Sequence, residues 1–330
     1  MSKVRRRRFL IATGAFLATP LASFAQPAQK VRRIGFLTLQ PHTPSRQKFW
    51  RDALSRGGYE EGRNLAIEWR FAENEAGRLP GLADELVRLN VELILAQTNE
   101  AIDEARHATQ TIPIVMTGSM FPVERGVVKS LAHPGGNVTG MVWWAEPQEA
   151  MAKQFQIVKF AVPQAKQVAV LRYGGDSQER FYDLAHQERS LASIGMSQQR
   201  FLPMRRDELK VALDRIAASR PDALWVAGSL SFVDGLRETA EFALERKLVS
   251  LSDQSTYVSA GGLLSYGPVV NTIVDRTMSY VDRILRGAKP SDLPIEQTTK
   301  WEMLLNGKTA RAIGFKPPPS FMLQVDRQIE

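Results

Sequence analysis

From residue 31 onward the sequence predicts an α/β protein of two doubly wound parallel-sheet lobes joined by a hinge. Three observations carry that expectation. Short apolar runs alternate with longer amphipathic stretches, the rhythm of parallel strands joined by crossover helices. The alternation runs through one cycle to Trp144 and then starts again. About 300 residues remain after the N-terminal segment, enough to build two cores without cross-links.

In the first cycle the apolar runs predict strands at 33–39, 65–71, 91–96, 112–116 and 138–142. Amphipathic stretches between them predict helices at 44–56, 79–89, 100–108 and 123–131. The second cycle reads helix 148–160, strand 167–172, helix 178–193, strand 197–202, helix 207–218, strand 223–226, helix 232–246 and strand 248–252. A helix at 271–285 and an extended stretch at 295–301 exceed what this cycle needs. The chain is therefore expected to return to the first lobe and cross again. The division is 26–144 plus about 266–292 for one lobe and 145–265 plus about 293–330 for the other, with a ligand cleft between them. Pro317-Pro318-Pro319 reads as a rigid extended tail on the surface, because proline fixes φ and cannot continue a helix. Recognition of that run by a partner domain is the alternative.

The N-terminus reads as an export leader. Lys3 and Arg5 to Arg8 precede an apolar stretch from Phe9 to Leu21 and a small-residue exit at Ser23-Phe24-Ala25, so cleavage is expected after Ala25. About 13 apolar residues at 1.5 Å each reach only about 20 Å, short of a roughly 30 Å hydrocarbon core, so a membrane anchor is the weaker reading. Arg6-Arg7-Arg8-Phe9-Leu10 also matches the twin-arginine pattern, and the export route stays open. The chain has no cysteine, which excludes lipid attachment, disulfides, thiolate catalysis and cysteine metal sites. Of the formal charge of +8, the leader supplies five positive residues and no negative ones, which leaves +3 for the rest. Without a basic face interleaved with aromatic residues, nucleic-acid binding is not expected.

Catalytic patterns are missing. None of the four histidines lies three or four residues from another, so no helical metal pair forms. The glycine doublets build no phosphate cradle, and Gly228-Ser229-Leu230-Ser231 lacks the last glycine of a hydrolase nucleophile turn. Helix capping by Ser229 or Ser231, or ligand contact through the local amides, suits that segment better. No cofactor, no metal and no enzymatic activity are expected.

In open α/β sheets, ligands settle at the carboxyl ends of the strands. In the first lobe those positions hold Thr38, Gln40, Thr98, Asn99, Thr117, Gly118 and Ser119, with Gln97 and Met120 beside them. These are mostly uncharged hydrogen-bonding groups, suited to an amide, hydroxyl or carboxylate. The second lobe offers Tyr173, Gly174, Gly228, Ser229, Asp253 and Gln254. Asp253, the one acid in the set, either pairs with a ligand ammonium or caps a helix. Trp143 and Trp144 fall at the handover between lobes, and Tyr266 near the return crossing. Strand alternation would let only one of the two tryptophans face the cleft. Packing of both in the core is the competing reading.

Five stretches resemble a known family. They are Gly58-Tyr59-Glu60-Glu61-Gly62-Arg63-Asn64; Leu79-Pro80-Gly81-Leu82-Ala83-Asp84-Glu85-Leu86-Val87; Leu131-Ala132-His133-Pro134-Gly135-Gly136-Asn137-Val138-Thr139-Gly140; Gly261-Gly262-Leu263-Leu264-Ser265-Tyr266-Gly267-Pro268; and Ile284-Leu285-Arg286-Gly287-Ala288-Lys289-Pro290 with Leu293-Pro294-Ile295-Glu296-Gln297. Together they make the chain resemble the substrate-binding proteins of ABC transporters for tryptophan, tyrosine or other amino acids, over essentially its whole mature length. The resemblance implies a type I periplasmic-binding fold, hinge closure on a small organic ligand (an amino acid or an aromatic or organic acid), and delivery to an inner-membrane ABC permease. Without a lipid-attachment cysteine the protein is expected free in the periplasm, as a monomer with a dimer left open. A ligand-sensing module of a signalling system and an exported enzyme are the alternatives. Where family members often read Asp-Pro-Val, this chain reads Phe121-Pro122-Val123 after Met120. That change argues against a ligand amino group and for a flatter, more apolar ligand.

Overall fold

The protein is described by a computed structural model over residues 31–173, 179–229 and 235–330. The leader expected at 1–25, Gly174, Ser231 and the starts of the helices expected at 178 and 232 lie outside the described residues.

Strands β1 (Arg32–Thr38), β2 (Leu65–Phe71), β3 (Leu93–Gln97), β4 (Ile114–Ser119) and β5 (Val138–Val142) form an all-parallel sheet with the later β11 (Glu296–Gln297), in the order β11-β5-β4-β3-β1-β2. Alternating side chains along these strands feed two cores, one on each face. Ile34, Phe36, Leu93 and Leu95 enter one, and Leu37, Ile94 and Ala96 the other. Helices on both faces cover them, as a parallel sheet requires. They are α1 (Pro44–Arg56), α2 (Leu79–Arg88) and α3 (Asn99–Ala108). α1 starts where Thr43 accepts the Arg46 N–H at 3.1 Å and Pro44 occupies the first turn.

The second sheet holds β6 (Gln167–Leu171), β7 (Ser197–Phe201), β8 (Ala223–Val226), β9 (Val249–Ser252), β10 (Leu264–Pro268), β12 (Trp301–Asn306) and β13 (Arg327–Ile329), in the order β13-β12-β10-β9-β8-β6-β7. All its pairs are parallel except β10 with β12. Its helices are α4 (Pro147–Ala161), α5 (Leu184–Ser193), α6 (Leu209–Ser219), α7 (Gly235–Glu245) and α8 (Ser255–Ser259).

After β10 the chain returns. α9 (Val270–Leu285) buries Ile273, Val274, Val281 and Ile284, the helical i, i+1, i+8, i+11 stripe, in the first lobe's core beside Ile34 and Leu93. Leu293 packs there too, Ile295 enters the core on the sheet's other face, and β11 extends the first sheet. The lobe boundaries read from sequence therefore shift. Tyr266 lies on the second sheet rather than at the start of the return, and the first lobe runs on through Gln297 rather than ending near 292. The stretch expected as one extended run at 295–301 instead divides, β11 going to one sheet and β12 to the other.

Two local expectations fail for identifiable reasons. Residues 123–131 form turns, not a helix. Gly126 sits at φ +68, in the left-handed region a helix cannot pass through, while Val127 and Val128 turn into the core. The proline tail is not a surface strap. Pro318 is extended and Pro319 opens the short helix α11 (Pro319–Met322), whose Phe321 is fully buried under the second sheet. α10 (Gly307–Ile313), β10 and β13 were not foreseen. Among the described residues no helix is long and apolar enough to cross a membrane.

Candidate functional site

Both sheets aim the carboxyl ends of their strands at one cavity of about 220 Å³. Every central strand contributes. Gln40 comes after β1; Gln97 ends β3 and the start of α3 (Thr98, Asn99, Glu100) follows it; Gly118 and Met120 lie at the end of β4; Trp143 and Trp144 come after β5. Opposite them stand Arg172 after β6, Ala227, Gly228 and Ser229 after β8, and Asp253, Gln254 and Thr256 after β9. Trp225 adds its ring from β8, Tyr182 its ring from the segment before α5, and Pro268 and Val270 close one side.

Of the residues expected from sequence, Gln40, Thr98, Asn99, Gly118, Trp143, Trp144, Gly228, Ser229, Asp253 and Gln254 line the cavity, and five do not. Thr38 is buried beneath it and accepts the Gln40 N–H at 3.2 Å. Thr117 is buried in the sheet. Ser119 is fully buried and donates to Asn99 Oδ1 at 2.9 Å. Tyr173 turns its ring to the second lobe's core, and its N–H donates to Ser229 Oγ at 3.4 Å. Tyr266 leans on Trp301 at a ring distance of 5.3 Å, in a separate groove that Trp144 also lines.

Both tryptophans reach the cavity, against the alternation expected of a strand. β5 ends at Val142, so neither residue is held to a strand's two faces. The Trp143 N–H donates to the Ser119 carbonyl, and its ring lies against Gly118. That glycine has φ +111, and a Cβ there would come 2.6 Å from the indole. Trp144 stacks on Trp301 at 6.1 Å, and its indole nitrogen is buried with no hydrogen-bond acceptor within reach among the described residues. Gln97 Oε1 is likewise buried and unsatisfied. Buried polar atoms are ordinarily bonded, so each is a natural place for a ligand's polar group.

The first lobe's wall is stapled by a buried cation. Arg125, its side chain 3% exposed, donates to the Asn99 carbonyl at 2.7 Å and to Ser119 Oγ at 3.3 Å, and pairs with Asp103 at 2.5 Å. Asn99 spends its own amide on the same joint, Oδ1 accepting from Ser119 and from the Met120 N–H, and Nδ2 donating to the Met120 carbonyl. Its side chain is therefore structural, and what it offers the cavity is backbone at the first turn of α3. Thr98, at a left-handed φ of +85, caps that turn by accepting the Ala101 N–H.

Across the cavity, the rings and charges were largely missed by sequence reasoning. Arg172 is 3% exposed, with its guanidinium 3.7 Å over the Tyr182 ring and 5.5 Å from the Trp225 ring. In the sequence it falls at the end of the apolar run at 167–172. A cation ending such a run was the signal that could have found it. Trp225 is fixed by a buried relay: its Nε1 donates to Gln154 Oε1 at 3.1 Å, and Gln154 Nε2 donates to the Tyr266 carbonyl at 2.9 Å. Asp253 accepts the Gly228 N–H at 2.6 Å, and burial pushes its carboxyl up to about 6 despite Arg172's opposing charge. Asp253 does not cap α8 through its side chain; it faces the cavity. Among the described lining residues the charged side chains are Arg172, Asp253 and Glu100. No cluster of three or more metal-ligating side chains occurs among the described residues.

Phe121 corrects the expectation drawn from the Phe-Pro-Val departure. Of the two apolar residues in that loop, Met120 lines the cavity and Phe121 does not, and Asp253 supplies a carboxylate from the other lobe.

Comparisons with known proteins agree with the two-sheet α/β fold. The chain resembles a tyrosine-binding protein of Clostridioides difficile (strain R20291), 26% identical over 294 residues that span 87% of this chain and 82% of the relative. Among solved structures, an ABC domain in complex with L-Trp from Streptococcus pneumonia superposes with a TM-score of 0.80 at 22% identity, covering 91% of this chain and all of that one. A conserved domain protein from Vibrio cholerae gives a TM-score of 0.81 at 22% identity, with the same coverage. The family model described as ABC transporter substrate binding protein matches residues 43–325, nearly all of the two lobes, and the chain belongs to that family.

Proposed function

We propose that the protein is the exported capture component of an ABC importer, that its lobes close on an aromatic α-amino acid, and that it passes this ligand to an inner-membrane permease without carrying out a reaction. One observation carries the reading: a single cavity between the lobes combines aromatic walls (Trp143, Trp225, Tyr182) with a buried cation, Arg172, and a buried carboxylate, Asp253. An aromatic amino acid presents the matching set of a flat ring, a carboxylate and an ammonium. Arg172 suits the carboxylate, as a buried guanidinium facing the cavity. Asp253 and Gln97 Oε1 suit the ammonium. The tyrosine-binding relative and the L-Trp-bound neighbour support the same class. A ligand that touches both lobes favours the closed form by its differential affinity.

The test is a thermal-shift panel of amino acids, their deaminated and decarboxylated analogues, sugars and polyols. L-Tyrosine or L-tryptophan at 100 times its dissociation constant adds about 2.7 kcal/mol, a shift of several degrees for a chain of this size. Both single-charge analogues are expected to shift the melt less. A response to sugars with none to amino acids would overturn the ligand class.

A further inference from the structure

The rim of the cleft carries a contact made by the protein alone. Phe121, in the first lobe just after β4, is 3% exposed, yet it belongs to neither core of its own lobe. Its ring partners lie on the opposite lobe: Tyr182 edge-on at 5.0 Å and Phe181 at 5.9 Å. Next to it, Met120 Sδ accepts from Tyr182 Oη at 3.9 Å. Phe121 also sits at φ +54, a left-handed conformation that bulky side chains adopt rarely and that surrounding structure must hold in place. The Arg125 N–H, donating to the Phe121 carbonyl, helps to hold it.

Tyr182 has two further neighbours. The Arg172 guanidinium lies 3.7 Å from the centre of its ring, and both residues line the cavity. One side chain therefore touches the cavity, its buried cation and the opposite lobe together. The backbone behind it is anchored, since Gln148 Nε2 donates to the Phe181 carbonyl at 3.1 Å.

We propose that Phe121 and Tyr182 form a latch across the mouth of the cleft, an aromatic contact that holds the lobes together and lengthens the residence of whatever is bound, without Phe121 touching the ligand. It rests on the cavity being the ligand site only for its effect on residence; its effect on the lobes stands apart from any ligand. Apparent affinity scales with the fraction of molecules in the binding-competent state, so a contact made between closed lobes raises affinity from outside the pocket. Aromatic pairs of this geometry favour the contact beyond the area they bury.

Small-angle scattering of the purified protein and of Phe121→Ala, each without ligand, tests the latch, with circular dichroism confirming that the variant is folded. The expected result is a larger radius of gyration for Phe121→Ala than for wild type, with Phe121→Leu between them and Tyr182→Phe close to wild type, because the ring makes the contact. With L-tryptophan as probe, stopped-flow dissociation is expected to be about 10-fold faster from Phe121→Ala while association changes little. Equal radii for wild type and Phe121→Ala would overturn the latch, whether both are compact or both extended. An absence of L-tryptophan binding to any form would contradict the proposed ligand class and leave the scattering comparison to decide the latch.

Discussion

Asp253 is the residue at which the site's chemistry is most exposed to measurement. Burial raises its carboxyl from an ordinary value near 3.8 to about 6, so the folded protein holds this proton more tightly than the unfolded chain does. Stability from this group is therefore greatest below pH 3.8, falls as pH rises from there to about 6, and is flat above. A shift of this size corresponds to a loss on the order of 3 kcal/mol. Asp253→Asn keeps an acceptor for the Gly228 N–H and removes the buried charge. Its ligand-free melting temperature is expected to exceed wild type at pH 7 and to converge with it near pH 4. Binding of an ammonium ligand is expected to weaken at least 10-fold, whereas wild-type affinity rises from pH 5 to 7. Melting curves and titrations across that range check both signs. Asp253 was legible in the sequence because it follows an apolar strand directly. Tyr182 was not, because the helix expected at 178–193 absorbed it, whereas α5 begins only at Leu184, where Asp183 accepts the His186 N–H. Trp225 was hidden by its position inside a strand, whose faces are assigned only once the sheet's neighbours are known.

At the scale of elements, agreement follows local physics. β2, β5, β8 and α1 fall on the residues expected, since a short strand-like run of apolar residues, alternating with polar ones in β2, or a capped, proline-started turn fixes both ends. Segments whose structure depends on distant partners were misread. The 123–131 stretch has a helix-like pattern, but its apolar residues anchor a turn that Gly126 permits. α11 exists because Phe321 fills the second core beside Phe160 and Phe315. Phe321→Ala is accordingly expected to lower stability by about 3–5 kcal/mol, read by denaturant unfolding, as for a buried core aromatic rather than a surface tail. Arg125 joins α3 to the end of β4 from behind the cavity. Arg125→Ala is expected to cost about 2–3 kcal/mol and to weaken ligand binding, with Arg125→Lys recovering only part of each, because an ammonium cannot reproduce the forked donor geometry.

For the whole molecule, the alternation of strand and helix announced two doubly wound sheets, and most of the described residues expected at strand ends and at the handover between lobes line one cavity. The return path was legible as surplus elements, but its limits were not. Only pairing shows that β10 stays with the second sheet while β11 goes back to the first. The wall of aromatic rings and paired charges arises from residues far apart in the chain, Trp143 and Tyr182 or Arg172 and Asp253, and so belongs to no motif. Isothermal titration of L-tyrosine and L-tryptophan into the purified protein, wild type and Trp225→Ala, tests that wall most directly. The expected result is saturable one-to-one binding by wild type, weakened at least 10-fold in a variant that still folds. No binding by wild type at millimolar ligand, or equal binding by the variant, would contradict it.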